Sequence, residues 1–339
     1  METGQPVPFS LYVYVPSKGA PIFFSISYAL SAVGHLWQCY RYRSFRLIGL
    51  HPICALLFTL GYALRIYGAF DNYLYNTHTL IVFILSQVFI YICPPLLELA
   101  NYHVLGRILY YVPYLAPLPP NKVLSTFGAL MGLVETLNAL GVSLSSNPSS
   151  SNQGLGSHLT ITALSIQLVV IVIFLLLASI FHYRCVKTNI HTKNVMTPLY
   201  TLYGSMVLIF IRCIYRLVEH LGNTTVDLGD LESLSALSPI LRYEWYFYVF
   251  EATLMLANSI IWNVWNPGRY LPRENHIYLS PDGRTEVEGE KEVDGRSLLA
   301  KAGSIMTFGI FFRKKQVQQS QHYRLNSFSS RGPILTRAD

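Results

Sequence analysis

The chain has 339 residues, of which 52% are hydrophobic and 13% are charged, and its formal net charge is +7. Because a soluble domain carries about a quarter charged residues, this composition excludes an ordinary soluble globular protein and predicts a membrane protein. Lys and Arg lie in short clusters beside apolar segments, so the positive charge does not indicate a nucleic-acid partner. The five cysteines form no CxxC pair, and we expect neither a zinc site nor a disulfide scaffold.

Seven segments of the chain are apolar enough and long enough to cross a bilayer. The hydrocarbon core is ~30 Å thick and needs roughly 20 helical residues. We therefore predict an all-α integral membrane bundle of seven transmembrane helices over residues 21–265. The predicted spans are 21–39, 47–68, 77–98, 124–144, 159–181, 197–218 and 243–265. Pro94 and Pro95 predict a kink or an end in the third span, because proline removes a backbone hydrogen bond.

The distribution of Lys and Arg predicts how the bundle sits in the membrane. Positive charge collects in the first, third and fifth connections and after the last span, whereas the alternate connections are poor in it. Because cytoplasmic loops carry the excess of Lys and Arg, we expect an extracellular N-terminal segment (residues 1–20) and a cytoplasmic C-terminus. The N-terminal segment lacks a basic region ahead of an apolar core, so no cleavable signal peptide is predicted.

A glycosylation sequon agrees with this orientation. Asn223 begins the sequence Asn-Thr-Thr in a connection predicted to be outside, so Asn223 is a candidate glycosylation site. A chance sequon too close to the membrane to be modified is the alternative.

Residues 266–339 form a polar tail that we expect to be cytoplasmic and mostly disordered, because it has few apolar residues for a packed core. Within the tail, residues 297–315 (SLLAKAGSIMTFGIFFRKK) end in three basic residues. This pattern is typical of a helix lying on the inner leaflet. A flexible tail with an apolar patch explains the same residues, and both interpretations stay open.

Charged and polar residues form stripes on the last two spans. At about 100° per residue, Arg212, Arg216 and Glu219 share one face of the sixth span. The stripe of the seventh span consists of Glu244, Tyr248, Glu251, Met255, Asn258 and Trp262. Since a charge facing lipid is costly, we expect both stripes to face protein or water. The similar depths of Arg212 and Glu251 predict that these two residues pair.

Other spans also carry polar residues inside the membrane, and such residues are functional candidates by default. We predict that they line a polar crevice open toward the cell exterior. Ion pairs that only hold the helices together are the alternative. The predicted site residues are Arg65, Glu135, Asn138, Gln167, Arg212, Arg216, Glu219, Tyr248, Glu251 and Asn258. No catalytic residue, cofactor or metal is predicted.

Several motifs mark the membrane region between residues 11–17 (LYVYVPS) and 265–272 (WNPGRYLP). The motif residues are Tyr14 and Pro16; Gly61, Tyr62 and Arg65; Tyr102, Gly106 and Arg107; Gln167; Arg212, Tyr215, Arg216 and Glu219; and Glu244, Tyr248 and Glu251. With these residues the chain resembles the fungal RTA-like proteins, a family named for resistance to aminocholesterol and also called lipid-translocating exporters.

The resemblance implies a seven-span protein of the plasma membrane that moves or exports sphingoid bases, sterol-like toxins or porphyrin. Four positions depart from the family pattern. In the seventh span Glu251 stands where the family has Asp, and after this span Asn266 stands where the family has His before Pro-Gly. Phe58 stands where the family usually has Glu, and Met131 stands where it often has Asp, although Glu135 one turn later is a candidate substitute. A carboxylate missing from the second span would change the substrate or the coupling.

These observations favour translocation or export of amphipathic lipids or lipophilic toxins, which gives resistance to them. The expected partners are membrane lipids and the cargo, and the oligomeric state stays open. Arginines would bind a phosphate or carboxylate of the cargo, and Glu135 and Glu251 would bind an amine. The chain has no GxxxxGK[ST] motif, so we expect no nucleotide hydrolysis.

Two other classes of function stay open. A lipid or stress sensor that signals through the cytoplasmic tail would have the topology of the receptors that act through heterotrimeric G proteins. An intramembrane enzyme would need histidines on one face to bind zinc. The ten histidines form no HxxxH or HExxH, and only His35 lies deep in a predicted span, so we do not expect an enzyme.

Overall fold

The computed structural model describes residues 6–70, 73–145, 153–222, 230–272, 274, 276–283 and 285–288. Within these ranges, seven helices are long and apolar enough to cross a membrane, which confirms the predicted all-α bundle. They are α1 (Gly19–Tyr42), α2 (Leu50–Ala69), α3 (Thr77–Tyr91 and Cys93–Tyr111), α4 (Pro120–Ser145), α5 (Gln153–Lys187), α6 (Lys193–Leu221) and α7 (244–264). Shorter helices occupy Phe45–Ile48, Leu231–Ser235 and Pro239–Arg242, and 3-10 turns occupy Pro113–Leu115 and Pro267–Arg269.

Several helices continue well past the predicted spans. Helix α5 has 35 residues, which at 1.5 Å per residue is about 52 Å and exceeds the ~30 Å hydrocarbon core. The prediction 159–181 covered only the apolar part of α5. Hydropathy identifies residues that suit a lipid environment, and it does not show where the helical hydrogen bonds end. Similarly, the third span was predicted to end at residue 98, whereas α3 continues to Tyr111.

Helix α3 is interrupted at Ile92, as the two prolines predicted. Proline lacks a backbone N–H, and its ring clashes with the carbonyl group four residues earlier. The Cys93 thiol donates to the carbonyl oxygens of Phe89 at 3.0 Å and Cys54 at 3.5 Å. These bonds satisfy polar groups at the interruption and hold it against α2.

The segment 6–17 covers one end of the bundle, which we call the N-terminal end. The amide of Leu11 donates to the carbonyl oxygen of Tyr73 at 2.9 Å. The amide of Ser17 donates to a carboxylate oxygen of Glu244 at 2.8 Å. The segment is therefore bonded both to the α2–α3 connection and to the start of α7.

A small antiparallel hairpin packs on the opposite end, which we call the hairpin end. Its strands are β1 (Ile277–Leu279) and β2 (Glu286–Glu288). Arg107 of α3 donates to the Pro272 carbonyl oxygen at 2.5 Å, and the Tyr114 hydroxyl donates to the Ser280 carbonyl oxygen at 3.0 Å. The sequence did not indicate this packing, which uses residues assigned to the tail. Residues 289–339, including the segment 297–315 discussed above, lie outside the described residues.

Helices α4 and α5 approach each other closely at two glycines. A Cβ atom at Gly141 would lie 2.8 Å from the Gly156 carbonyl oxygen and 2.7 Å from the Thr160 amide nitrogen. Only glycine fits there, and small residues are what allow membrane helices to approach this closely.

We expect Gly141→Ala to lower the free energy of unfolding by about 1–3 kcal/mol, because the added methyl group overpacks a rigid backbone contact. Thermal denaturation of the purified protein in detergent measures the effect. Gly204→Ala in α6 is the matched control, since a Cβ atom there would meet only Ile261 at 3.9 Å. Equal melting temperatures for the two variants would contradict the prediction.

Candidate functional site in the bundle core

The polar stripe of α7 faces the interior of the bundle. Each of its members, Glu244, Tyr248, Glu251, Met255, Asn258 and Trp262, is at most 8% exposed. A π-helical turn occupies Tyr248–Thr253, and the Thr253 hydroxyl donates to the Tyr248 carbonyl oxygen at 2.8 Å. Such turns are frequent at functional sites. The predicted inward orientation of the stripe is therefore confirmed, and its central carboxylate lies on an irregular turn.

Arg212 of α6 and Glu251 of α7 form a buried ion pair. The Arg212 Nε atom lies 2.8 Å from Glu251 Oε1 and 3.0 Å from Oε2. The two side chains are 6% and 0% exposed. An unpaired charge at the centre of a membrane helix costs about 3 kcal/mol on insertion scales, so each charge needs the other. The predicted contact between these two helices is confirmed.

Arg65 of α2 belongs to a second buried ion pair nearer the N-terminal end. Its Nη2 atom lies 3.1 Å from Glu244 Oε1, and its Nε atom donates to the Tyr248 hydroxyl at 3.1 Å. The guanidinium carbon lies 4.4 Å from the centre of the Phe247 ring, where the ring face attracts a cation. Arg65, Glu244 and Tyr248 therefore form one bonded cluster, which is separate from the Arg212–Glu251 pair.

Tyr14 links this second pair to the N-terminal segment. The Arg65 Nη2 atom donates to the Tyr14 hydroxyl at 2.9 Å. Burial raises the pKa of the Tyr14 phenol above its ordinary value, and the Arg65 guanidinium only partly opposes that effect. The phenol therefore stays neutral and accepts the hydrogen bond. The segment thus closes the N-terminal end over Arg65 in this conformation.

A third buried carboxylate, Glu98 in the second half of α3, was missed by the sequence analysis. It accepts a hydrogen bond from Gln167 Nε2 at 2.8 Å and another from the Tyr102 hydroxyl. The predicted end of the third span at residue 98 placed Glu98 at the membrane surface. The available signal was that a helix restarting after Pro94 and Pro95 would carry Glu98 inside the bundle.

A small polar cavity lies between α3, α4, α5 and α6. Its volume is about 30 Å³, and its lining residues are Tyr91, Pro95, Glu135, Asn138, Leu164, Gln167, Arg212, Arg216 and His220. Five of the ten predicted site residues therefore line one cavity. A cavity of this size holds about one water molecule, so it does not admit a lipid headgroup in this conformation.

Arg216 and Glu219 form a third ion pair, which is less buried. The side chains are 15% and 13% exposed, and they bond three residues apart on α6. The Arg216 guanidinium also lies 4.3 Å from the centre of the Tyr91 ring. Arg216 reaches the cavity, whereas Glu219 is not among its lining residues.

Asn258 lies two helical turns beyond Glu251 and does not line the cavity. It is fully buried, and neither its Oδ1 nor its Nδ2 atom has a hydrogen-bond partner among the described residues. The remaining prediction, glycosylation at Asn223, falls outside the described residues.

A larger groove of about 410 Å³ lies where α1 ends and α2 begins. Its lining is mostly apolar, with Arg46 and His103 as its ionisable side chains. We assign the polar cavity rather than this groove as the candidate site, because the cavity gathers the intramembrane charges.

One group of metal-type ligands lies together among the described residues, and it is far in sequence from this site. Glu274, His276 and Glu288 meet on the hairpin. The His276 Nε2 atom lies 2.8 Å from the Glu274 carboxylate and 3.1 Å from that of Glu288. Because both carboxylates are more than half exposed, an ordinary surface ion pair accounts for this group.

We expect Arg212→Met to lower the free energy of unfolding by about 3–5 kcal/mol, because it leaves the Glu251 carboxylate buried without a partner. The double variant Arg212→Met/Glu251→Leu should recover much of this loss, since it removes both charges. Thermal denaturation in detergent of the two single variants and the double variant measures the coupling. Additive losses would contradict a direct ion pair. Arg216→Met serves as the control, with a smaller expected loss because that pair is partly exposed.

Comparison with known proteins assigns the chain to a family. The family model described as RTA1 like protein matches residues 52–274. The chain is 53% identical over 317 residues to the lipid-translocating exporter-like protein RTA1 of Leptosphaeria maculans. The match covers 91% of this chain and 60% of that protein. The chain thus spans less than two thirds of that relative's length.

More distant relatives match over shorter lengths of the chain. The identity is 28% over 251 residues to the lipid-translocating exporter-like protein RTA1 of Ajellomyces capsulatus, covering 69% of this chain and 75% of that protein. The identity is 26% over 288 residues to Protein RTA1 of Saccharomyces cerevisiae, covering 76% and 84%. No solved structure matches the chain significantly. The resemblance to the RTA-like proteins is confirmed, and the chain belongs to the RTA1-like family of membrane proteins.

Proposed function

We propose that this protein translocates or exports an amphipathic lipid or lipophilic toxin across the membrane and thereby gives resistance to it. The observation that carries the proposal is the buried Arg212–Glu251 pair at the edge of a polar cavity inside the bundle. The names of its relatives, lipid-translocating exporter-like protein RTA1 in two fungi, support lipid as the class of cargo.

The chemistry of the cavity suits a charged headgroup with both donors and acceptors around it. Arg212 and Arg216 supply positive charge for a phosphate or carboxylate, and Glu135 supplies negative charge for an amine. Gln167 and Asn138 add uncharged hydrogen-bonding groups. Charged groups of both signs in a low-dielectric interior orient a zwitterionic or ionic headgroup more strongly than water does.

Cargo entry requires the cavity to open. Two irregular backbone segments lie beside it, the interruption of α3 at Ile92 and the π-helical turn Tyr248–Thr253 of α7. A proline interruption and a π-turn both break the regular ladder of helical hydrogen bonds, so fewer backbone bonds oppose bending at these two places. In the proposed cycle, bending at these segments separates Glu251 from Arg212 and frees both charges for the headgroup.

Orientation and location complete the proposal. The excess of Lys and Arg in alternate connections favours an extracellular N-terminal end and a cytoplasmic hairpin end. The plasma membrane is the proposed location. The protein needs no chemical reaction of its own for this function, and we do not propose an enzyme.

Uptake of a fluorescent sphingoid base by liposomes that contain the purified protein tests the transport function. We expect Glu251→Gln and Arg212→Ala to reduce the rate at least tenfold, a loss of roughly 1.4 kcal/mol of transition-state stabilisation or more. Each change removes one charge that the headgroup needs.

Glu232→Gln is the matched control for this measurement, because Glu232 is exposed on a short helix between α6 and α7. If liposomes with the unaltered chain take up the sphingoid base no faster than protein-free liposomes, the transport proposal is overturned. Signalling that depends on residues 289–339, together with absence of uptake, would instead favour the sensor hypothesis.

Glycosidase treatment of the protein from fungal membranes tests the orientation. If the connection after α6 is extracellular, as proposed, Asn223 carries a glycan, and treatment increases the electrophoretic mobility of the protein. Asn223→Gln should remove the shift. An introduced sequon between α5 and α6 should stay unmodified, and its glycosylation would invert the proposed orientation.

A further inference from the structure

A second polar cluster lies in the half of the bundle nearer the hairpin end, where α1, α2 and α7 meet. The rings of His35 and His51 stack with their centres 5.5 Å apart, and the His51 and Trp262 ring centres are 5.3 Å apart. All three side chains are at most 1% exposed. Asn258 precedes Trp262 by one turn and shares its face of α7. The histidine pair could not be recognised from the sequence, because its two members come from different helices.

The cluster contains an unusual concentration of polar atoms without partners. Among the described residues, no hydrogen bond reaches His35 Nδ1, either ring nitrogen of His51, either amide atom of Asn258, or Trp262 Nε1. Buried polar atoms are nearly always bonded, and exceptions indicate an unseen water molecule or ion. The Trp262 indole supplies only a donor, whereas the histidine and asparagine side chains supply both donors and acceptors. A mixed set suits water, which donates and accepts, better than an anion or a metal cation.

A chain of hydrogen bonds leads from this cluster to Asn263 of α7. The His35 Nε2 atom lies 3.1 Å from the Ser259 hydroxyl, which lies 2.6 Å from the Ser31 hydroxyl. The Asn263 Nδ2 atom donates to the Ser31 hydroxyl at 2.7 Å. Asn263 is half-buried near the end of α7. The hydroxyl groups of Ser31 and Ser259 can pass a proton, and the chain of hydrogen bonds ends at the Asn263 amide, which is partly exposed.

We propose that His35 and His51 form a hydrated proton-binding site that exchanges protons through the Ser259 and Ser31 hydroxyls. Histidine is the side chain whose charge changes near neutral pH. Because the two rings stack, like-charge repulsion limits the pair to one proton. The Trp262 ring face attracts the resulting imidazolium.

The described contacts of the two histidines, apart from their contact with each other, are with uncharged groups. No ion pair among the described residues involves His35 or His51, and the titratable group that acts on His51 is His35 itself. Among the described contacts, the Ser259 hydroxyl of α7 bonds the His35 ring and the Trp262 indole of α7 packs against the His51 ring. Because no opposite charge among the described residues offsets it, the bound proton depends on the proposed water and on the Trp262 ring face for its stabilisation.

Solid-state NMR of the full chain with ¹⁵N-labelled histidine in phosphatidylcholine vesicles tests proton binding without any transport assay. His35→Gln and His51→Gln assign the two imidazole signals. As the pH is lowered, we expect one imidazole of the pair, and only one, to change from the neutral to the imidazolium chemical shift. Retention of neutral shifts by both rings over the whole pH range in which the protein stays folded would overturn the proposal.

The same samples test hydration and the proton path. Polarisation transferred from water should reach the His51 imidazole several-fold faster in the unaltered chain than in the Asn258→Leu variant. Ser259→Ala should slow water exchange at His35, whereas Ser179→Ala, which alters an exposed hydroxyl on α5, should not. Equal transfer in all four proteins would refute a hydrated site.

A role of this proton in transport rests on the proposed function. In liposomes, a pH gradient should change the uptake of the fluorescent sphingoid base several-fold, and His51→Gln should abolish that dependence. His182→Gln, which alters a histidine beside Tyr200 on another face of the bundle, should retain it. Uptake at the same rate with and without the gradient would refute the coupling. Absence of any uptake would refute the transport proposal. In that case the NMR result alone decides whether the proton site exists.

Discussion

Neutralising charge inside a low-dielectric interior is the constraint on which the rest of this structure depends. Arg212 and Glu251 are both nearly inaccessible, and neither charge is tolerable alone at that depth. Their pairing fixes the rotation of α6 against α7. Once that rotation is fixed, the other members of the α7 stripe also face inward, where Arg65 meets Glu244 and Asn258 approaches the histidine cluster.

The ion pairs stabilise this arrangement of helices, but stability alone does not require charged residues at these positions. Apolar side chains of similar size would pack as well or better. The polar groups are also spread unevenly. Glu98 is satisfied by Gln167 and Tyr102, whereas the polar atoms of His51 and Asn258 have no partner among the described residues. A bundle that needed only cohesion would carry apolar side chains here, since a buried polar atom that lacks a partner costs about 1–3 kcal/mol. These two regions therefore suggest separate tasks, the first for a charged headgroup and the second for water and a proton.

Much of the architecture could be predicted from the sequence, because hydropathy and helix length directly reflect the thickness of the membrane. The seven spans, the interruption of α3 and the Arg212–Glu251 contact all follow from local patterns. Glu98 could not be identified as an interior residue in the same way, because its depth depends on how far α3 continues beyond its prolines. Arg65 was a predicted site residue, but its partners Tyr14 and Glu244 lie 51 and 179 residues away in the sequence. The contact with Tyr14 depends on how the N-terminal segment folds over the bundle.

The sequence by itself determined that this chain spans a membrane seven times, belongs to the RTA1-like family and buries charged residues in its last two spans. Composition and helical periodicity are local properties, so they can be read without knowledge of which helices are neighbours. Only the tertiary structure decided which charges pair, that five predicted residues surround one cavity, and that His35 stacks on His51. Those contacts join residues from separate helices, and the relative rotation and depth of packed helices are set by the fit of all their side chains together.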